Sequence, residues 1–140
     1  MSSELDHQRN IIKDVKDQFE DAFAMKMSNR FLSGIPDLMI KVPNHPVLFV
    51  EVKKGEINKK GIVKINTSPM QRYIMQHMIK SGIRCEVWTV IEEKKDAMMI
   101  RTTPEIESLL MMMDMNDLPR RSRGVKWPIE QFLNNPLEKK

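Results

Sequence analysis

The stretch Gly34-Ile35-Pro36-Asp37-Leu38-Met39-Ile40-Lys41-Val42-Pro43-Asn44-His45-Pro46-Val47-Leu48-Phe49-Val50-Glu51-Val52-Lys53 decides the fold. Two apolar-rich runs, Asp37 to Val42 and Val47 to Lys53, flank a segment whose prolines cannot donate to a ladder, so the pattern predicts a β-hairpin with a short loop. Residues two apart on a strand share a face, so Glu51 and Lys53 project together while Val52 enters the core. Glu51 lies 14 positions after Asp37, and the turn folds Asp37 back against it. Sharing a face requires directly opposed residue numbers to sum to an even value such as 88. A four-residue loop pairing Val42 with Val47 would give 89 and the wrong face, so a five-residue loop or a bulge is expected.

Working outward, Leu5, Ile12, Val15 and Phe19 recur at helical spacing after Ser3, Glu4 and Asp6, predicting an amphipathic helix over 4–21. Phe23, Met25 and Met27 alternate as in a strand. Residues 54–67, rich in Gly and Lys and without a clear period, read as a mobile loop. Ser68, Pro69 and Gln71 make a capping box with proline at the first helical position, opening a helix that Gly82 closes. Ile83 to Ile91 reads as a buried strand and Ala97 to Thr102 as a short one. Thr103-Pro104-Glu105 is expected to cap a third helix running to about Asp114, with a further helical turn around Glu130 to Asn134. The order predicts an α/β layered domain: a small mixed sheet flanked by helices.

Composition bounds the rest. The 140 residues suit one domain, 41% hydrophobic and 30% charged, with no run of roughly 20 apolar residues to span a bilayer. The N-terminus lacks the basic and apolar regions of a secretory signal, so a cytoplasmic location is expected. One cysteine, Cys85, and three scattered histidines exclude a zinc finger, and Cys85 reads as a small buried residue. His45 and His77 read as surface residues, whereas His7 is near enough to Glu4 to approach a site there. The 13 methionines, among them Met111-Met112-Met113, read first as packing. The net charge of +4 is unevenly spread: residues 118–140 hold six of the 23 Lys and Arg but two of the 19 Asp and Glu, leaving 17 of each sign before them. A second basic cluster, Lys53, Lys54, Lys59, Lys60 and Lys64, follows the hairpin.

Two carboxylates and an amine at one end of a sheet suit metal-assisted phosphodiester hydrolysis. Hard Mg²⁺ or Mn²⁺ takes oxygen ligands and keeps waters for nucleophile and substrate, Val52 is free to offer its carbonyl, and Lys53 would orient water or offset phosphoryl charge. The bland alternatives are a turn aspartate after proline and a solvated Glu-x-Lys pair on a strand.

Together with Ser68-Pro69-Met70-Gln71 and Gly82, the run Gly34 to Leu38 and Phe49 to Lys53 resembles the VRR-NUC family of PD-(D/E)XK nucleases over residues 4–90. That resemblance implies a restriction-endonuclease-like core of order αβββαβ and cleavage of branched or junction DNA with Mg²⁺ or Mn²⁺. It implies metal ligands Asp37, Glu51 and the Val52 carbonyl, with Lys53 as catalytic amine. The family's first-helix acid is best matched by Glu4, with Glu20 as the alternative. The family's Ser and Gln correspond to Ser68 and Gln71, for which the capping box is also a complete structural explanation. A nuclease domain over 1–117 and a basic C-terminal extension over 118–140 are expected. Lys54, Lys59, Lys60, Lys64, Ser68, Arg120, Arg121, Arg123 and Lys126 are the candidate DNA contacts. A homodimer would supply two centres for cutting two strands. The rival readings are a DNA-binding module keeping the fold without turnover, and an assembly protein using the Met-rich helix and basic tail to bind a partner.

Overall fold

The computed structural model describes residues 2–27, 34–104, 108–112 and 117–137. Helix α1 (Glu4–Gln18) opens on a reciprocal cap: Asp6 N donates to Ser3 Oγ (3.1 Å) and Ser3 N to Asp6 Oδ2 (2.9 Å). It stops three residues earlier than its periodicity predicts, because Phe19 is already extended. Strands β1 (Phe23–Lys26), β2 (Leu38–Lys41) and β3 (Leu48–Gly55) form an antiparallel meander. The β2–β3 pairs are Leu38 with Val50, Met39 with Phe49 and Ile40 with Leu48, the even-sum register that the shared face of Asp37 and Glu51 requires.

After β4 (Ile62–Asn66), α2 (Pro69–Lys80) carries the chain back so that β5 (Arg84–Glu92) lies parallel to β3 along its whole length. The expected capping box is present at its start: Gln71 N donates to Ser68 Oγ and Ser68 N to Gln71 Oε1. At its end Gly82, with φ +91°, lets Ile83 N return to the Met78 carbonyl. Then β6 (Ala97–Thr102) and β8 (Arg120–Arg121) complete a six-stranded sheet of order β1-β2-β3-β5-β6-β8; β7 (Ser108–Met112) pairs with β4 in a separate two-stranded sheet, and α3 (Ile129–Asn134) follows. Within this lies the expected order αβββαβ, with β4 inserted before α2.

Strand β5 is central and its residues Cys85 to Ile91 are buried, as both faces are covered. On one face Ile11 and Val15 of α1 pack with Val50, Val52, Trp88, Trp127, Ile129 and Phe132. On the other, Met75 of α2 meets Cys85 and Val87, while Val63 and Ile65 of β4 cover Ile91, Met98 and Ile100. The segment after residue 118 is thus built into the main core, with Trp127 and Phe132 both 1% exposed. Its last helix is held from below. Glu86, 1% exposed, pairs with Arg84 (2.8 Å) and Arg101 (2.7 Å) and takes the Trp88 indole N–H (3.1 Å). Those two arginines donate onward to the carbonyls of Phe132, Leu133 and Asn135, satisfying the open end of α3.

Two expectations are corrected. Residues 54–67 are not a loop throughout: β3 continues to Gly55 and 62–66 form β4. Buried Val63 and Ile65 flank exposed Lys64, a strand alternation too short and lysine-rich to stand out, and its partner lies more than 40 residues downstream. The third helix is absent over 108–112, where the backbone forms β7; a short apolar run has no period to separate helix from strand. The rest of that expectation, 105–107 and 113–114, lies outside the described residues. Methionine as packing holds for Met75, Met98 and Met99, each at most 1% exposed. No helix among the described residues is long and apolar enough to cross a membrane.

Candidate active site

The site forms where β2 ends and β3 does not. Beyond Leu38 and Val50 the next facing pair would be Asp37 and Glu51, but Pro36 has no N–H, and β2 stops. Strand β3 runs on to Gly55, so the N–H groups of Val52 and Lys54 on that side lack a strand partner. Two side chains replace it. Asp37 Oδ2 accepts from Val52 N (2.9 Å), and Glu4 Oε2, reaching over from the first turn of α1, accepts from Lys54 N (2.8 Å). Asp37 is tied from its other side by Met27 N, which donates to the Asp37 carbonyl at 2.7 Å. In a strand the N–H and C=O of one residue point the same way, so the Val52 carbonyl opens into the gap that Asp37 occupies.

Glu51 is 3% exposed. Its Oε2 accepts from Gln71 Nε2 (2.5 Å) and lies 3.2 Å from Lys53 Nζ, while Oε1 is buried with no donor in reach. Burial, and then the neighbouring Asp37 charge, push the Glu51 carboxyl up to about 7 against the pull of Lys53. Burial likewise raises Asp37, opposed by the Val52 N–H, a hydrogen bond to Glu51, and Lys53. Two acceptor groups facing each other need something positive between them, a proton or a cation. That unmet demand fits a divalent metal. Among the described residues no group of three or more His, Cys, Asp and Glu gathers to hold one. The groups that could hold one are two carboxylates and a main-chain carbonyl, a sparse oxygen set of the kind that suits a hard ion keeping several waters.

Gln71 does two things at once. Its Oε1 closes the helix cap on Ser68 N while Nε2 reaches Glu51, so the cap sets the angle at which the amide meets the carboxylate. Ser68 is occupied by that cap. Gly34 belongs here too: at φ +91°, an added Cβ would lie 2.8 Å from the Met70 carbonyl, in the helix turn that presents Gln71. Sequence reading quoted this glycine within a motif without seeing the close approach behind it.

The remaining candidates divide. Glu20 is exposed at the far end of α1 from Glu4 and does not join the site. His7 is buried, its Nε2 2.8 Å from Glu92 Oε1 without the alignment of a hydrogen bond, and it faces that residue and not the Asp37–Glu51 pair. His77 is exposed and stacks on Tyr73, whereas the His45 carbonyl receives Lys41 Nζ. Lys59, Lys60 and Lys64 are exposed around the β3–β4 turn. In the tail Arg121 turns inward: it makes a two-point bond to Asp14 (2.7 and 3.0 Å), a fully buried carboxylate that also takes Trp127 N. A buried charge left unpaired is costly, which commits Arg121 to the core and not to phosphates. Arg120 lies 3.8 Å from Asp96 and Lys126 3.0 Å from Asp17, whereas Arg123 is exposed.

No family model matches the chain, and no characterised protein matches it by sequence. Among solved structures it is similar to a VRR_NUC domain, at 24% identity and a TM-score of 0.44, over 66% of this chain and 87% of that one. It is also similar to Hjc, a Holliday junction resolvase of the hyperthermophilic archaeon Archaeoglobus fulgidus, at 15% identity and a TM-score of 0.46, over 90% of this chain and 88% of that one.

Proposed function

We propose that this chain is a divalent-metal-dependent endonuclease that hydrolyses DNA phosphodiester bonds, with a preference for branched DNA. The observation that carries the reading is the Asp37–Glu51 pair: a half-buried Asp37 carboxylate held by Val52 N, and the buried Glu51, whose Oε1 lacks a donor, beside the Lys53 amine. Asp37, Glu51 and the Val52 carbonyl would hold Mg²⁺ or Mn²⁺, which when bound lowers the pKa of its water and offsets charge on the phosphoryl oxygens. Lys53 is partly exposed, with its ammonium at the mouth of the site, where it orients the attacking water and balances the charge that builds on phosphorus. Gln71 fixes the Glu51 rotamer through its amide, and Glu4 anchors the free edge of β3 at Lys54. Cutting both strands of a branch requires two such centres, which a homodimer would bring together.

Four-way, flap, nicked and linear DNA incubated with Mg²⁺ or Mn²⁺ tests this. Cleavage should need the metal, stop on chelation, and favour branched substrates. Lys53→Ala should reduce cleavage at least 100-fold while DNA affinity stays within about threefold. A wild-type protein that binds DNA without metal-dependent cleavage would instead be a binding or assembly module.

A further inference from the structure

The cations of the tail and those of the β5–β6 turn come together at one place that their sequence positions, almost 30 residues apart, do not suggest. A cavity of about 300 Å³ has His7, Asn10 and Trp127 among its lining residues, and Lys94, Lys95 and Arg123 at its rim. Lys94, Lys95 and Arg123 are exposed, and among the described residues none of the three makes a salt bridge. The neighbouring charges are already used: Arg121 by Asp14, Asp96 by Arg120, Glu92 by His7 and Ser2 N. Only the Glu93 carboxylate opposes the three cations from the same turn. A second cavity of about 300 Å³ adjoins the first across Glu92 and Glu93 and is lined on its other side by Lys54 and Gly55, next to the catalytic Lys53.

We infer that the Lys94, Lys95 and Arg123 rim is a second phosphate-binding subsite, holding the backbone of the DNA arm that leaves the catalytic centre along the C-terminal ends of β3 and β5. This rests on the DNA-cleaving reading above and extends it. Lys53 lies opposite Thr89, and β5 ends three residues later at Glu92, roughly 10 Å along the sheet. That is about three base pairs of duplex at roughly 3.4 Å each, so the rim meets an arm and not the scissile phosphate. Three cations positioned by two turns, Lys94 and Lys95 on one and Arg123 on the other, give affinity without base reading.

The test compares wild type with the combined Lys94→Gln, Lys95→Gln, Arg123→Gln variant, measuring affinity for a labelled duplex of about 25 base pairs over a salt series in chelator. Each lost phosphate contact should reduce the slope of log affinity against log salt by roughly 0.9, so the variant should lose between 2 and 3 units, with an unchanged melting temperature. If the triple variant melts low, Lys95→Gln alone carries the test with a slope loss of roughly 0.9. A wild-type slope in a folded variant overturns this subsite and leaves the nuclease reading standing, whereas a wild-type protein that neither binds nor cuts DNA overturns both.

Discussion

Replacing Glu51 by Gln should make the protein more stable and, at the same time, inactive. The carboxyl is 3% exposed and is raised from 4.5 to about 7, chiefly by burial and then by Asp37. Below pH 4.5 folded and unfolded chains are both protonated and nothing is lost. Between 4.5 and 7 the unfolded chain releases its proton first, so stability falls as pH rises. Above 7 the whole cost is present, about 3 kcal/mol at 1.36 per unit. A glutamine of the same shape carries no charge and avoids that cost. At pH 8 in chelator, the variant should melt roughly 10 °C higher, taking about 3 °C per kcal/mol for a chain of this size. At pH 5 the two proteins should differ by under about a quarter of that, since wild-type Glu51 is then mostly neutral. Cleavage should be absent at both pH values. Thermal and urea denaturation at the two pH values checks the reasoning, and a variant no more stable than wild type at pH 8 would refute it.

Mn²⁺ affinity should rise about tenfold from pH 6 to pH 8, because a ligand titrating at about 7 is ionised in roughly one molecule in eleven at the lower pH and ten in eleven at the higher. Calorimetric titration reads this directly, and a flat profile removes Glu51 from the ligand set. Gly34→Ala should cost about 2 to 3 kcal/mol, since it forces a side chain into positive φ and against the Met70 carbonyl. Cleavage should also fall as the turn bearing Gln71 is displaced; a variant as stable and active as wild type would show that the close approach is not needed.

What the sequence revealed was local or parity-based. The even-sum register of β2 and β3 follows from the alternation of Leu38 to Val42 and Leu48 to Lys53 once Asp37 and Glu51 must share a face. The Ser68 and Gln71 cap is written within four residues. What stayed hidden was non-local. Strand β4 is recognisable through its pairing with β7, and Arg121 becomes a core residue only because Asp14 lies 107 positions away on α1. Ser68 and Gln71 posed a choice between a cap and a place in the site, and the geometry joins the two: one Gln71 amide caps the helix with its oxygen and holds Glu51 with its nitrogen. Lys94 and Lys95 drew no notice in the sequence, because Arg123, which lines the same cavity, stands 28 positions after Lys95.

The clamp of Arg84 and Arg101 on the last helix has a consequence for the order in which the protein comes into being. Asp37, Glu51, Lys53 and Gln71 are all synthesised before residue 72, yet the sheet face beneath them is sealed by Trp127, Ile129 and Phe132, and the two arginines gain their carbonyl partners only when Phe132 to Asn135 exist. At 5 to 20 residues per second, about 3 to 12 s separate Gln71, the last residue of the candidate site, from the element that closes the fold. During that interval the ribosome carries the full set of proposed catalytic side chains on an unsealed scaffold. We expect arrested chains with 120 residues exposed to cut no DNA and chains with 137 exposed to cut it; equal cleavage by both would show that the scaffold does not need its last helix. On the proposed reading, a centre that cuts DNA would thereby be withheld from action until synthesis has passed it by some 60 residues.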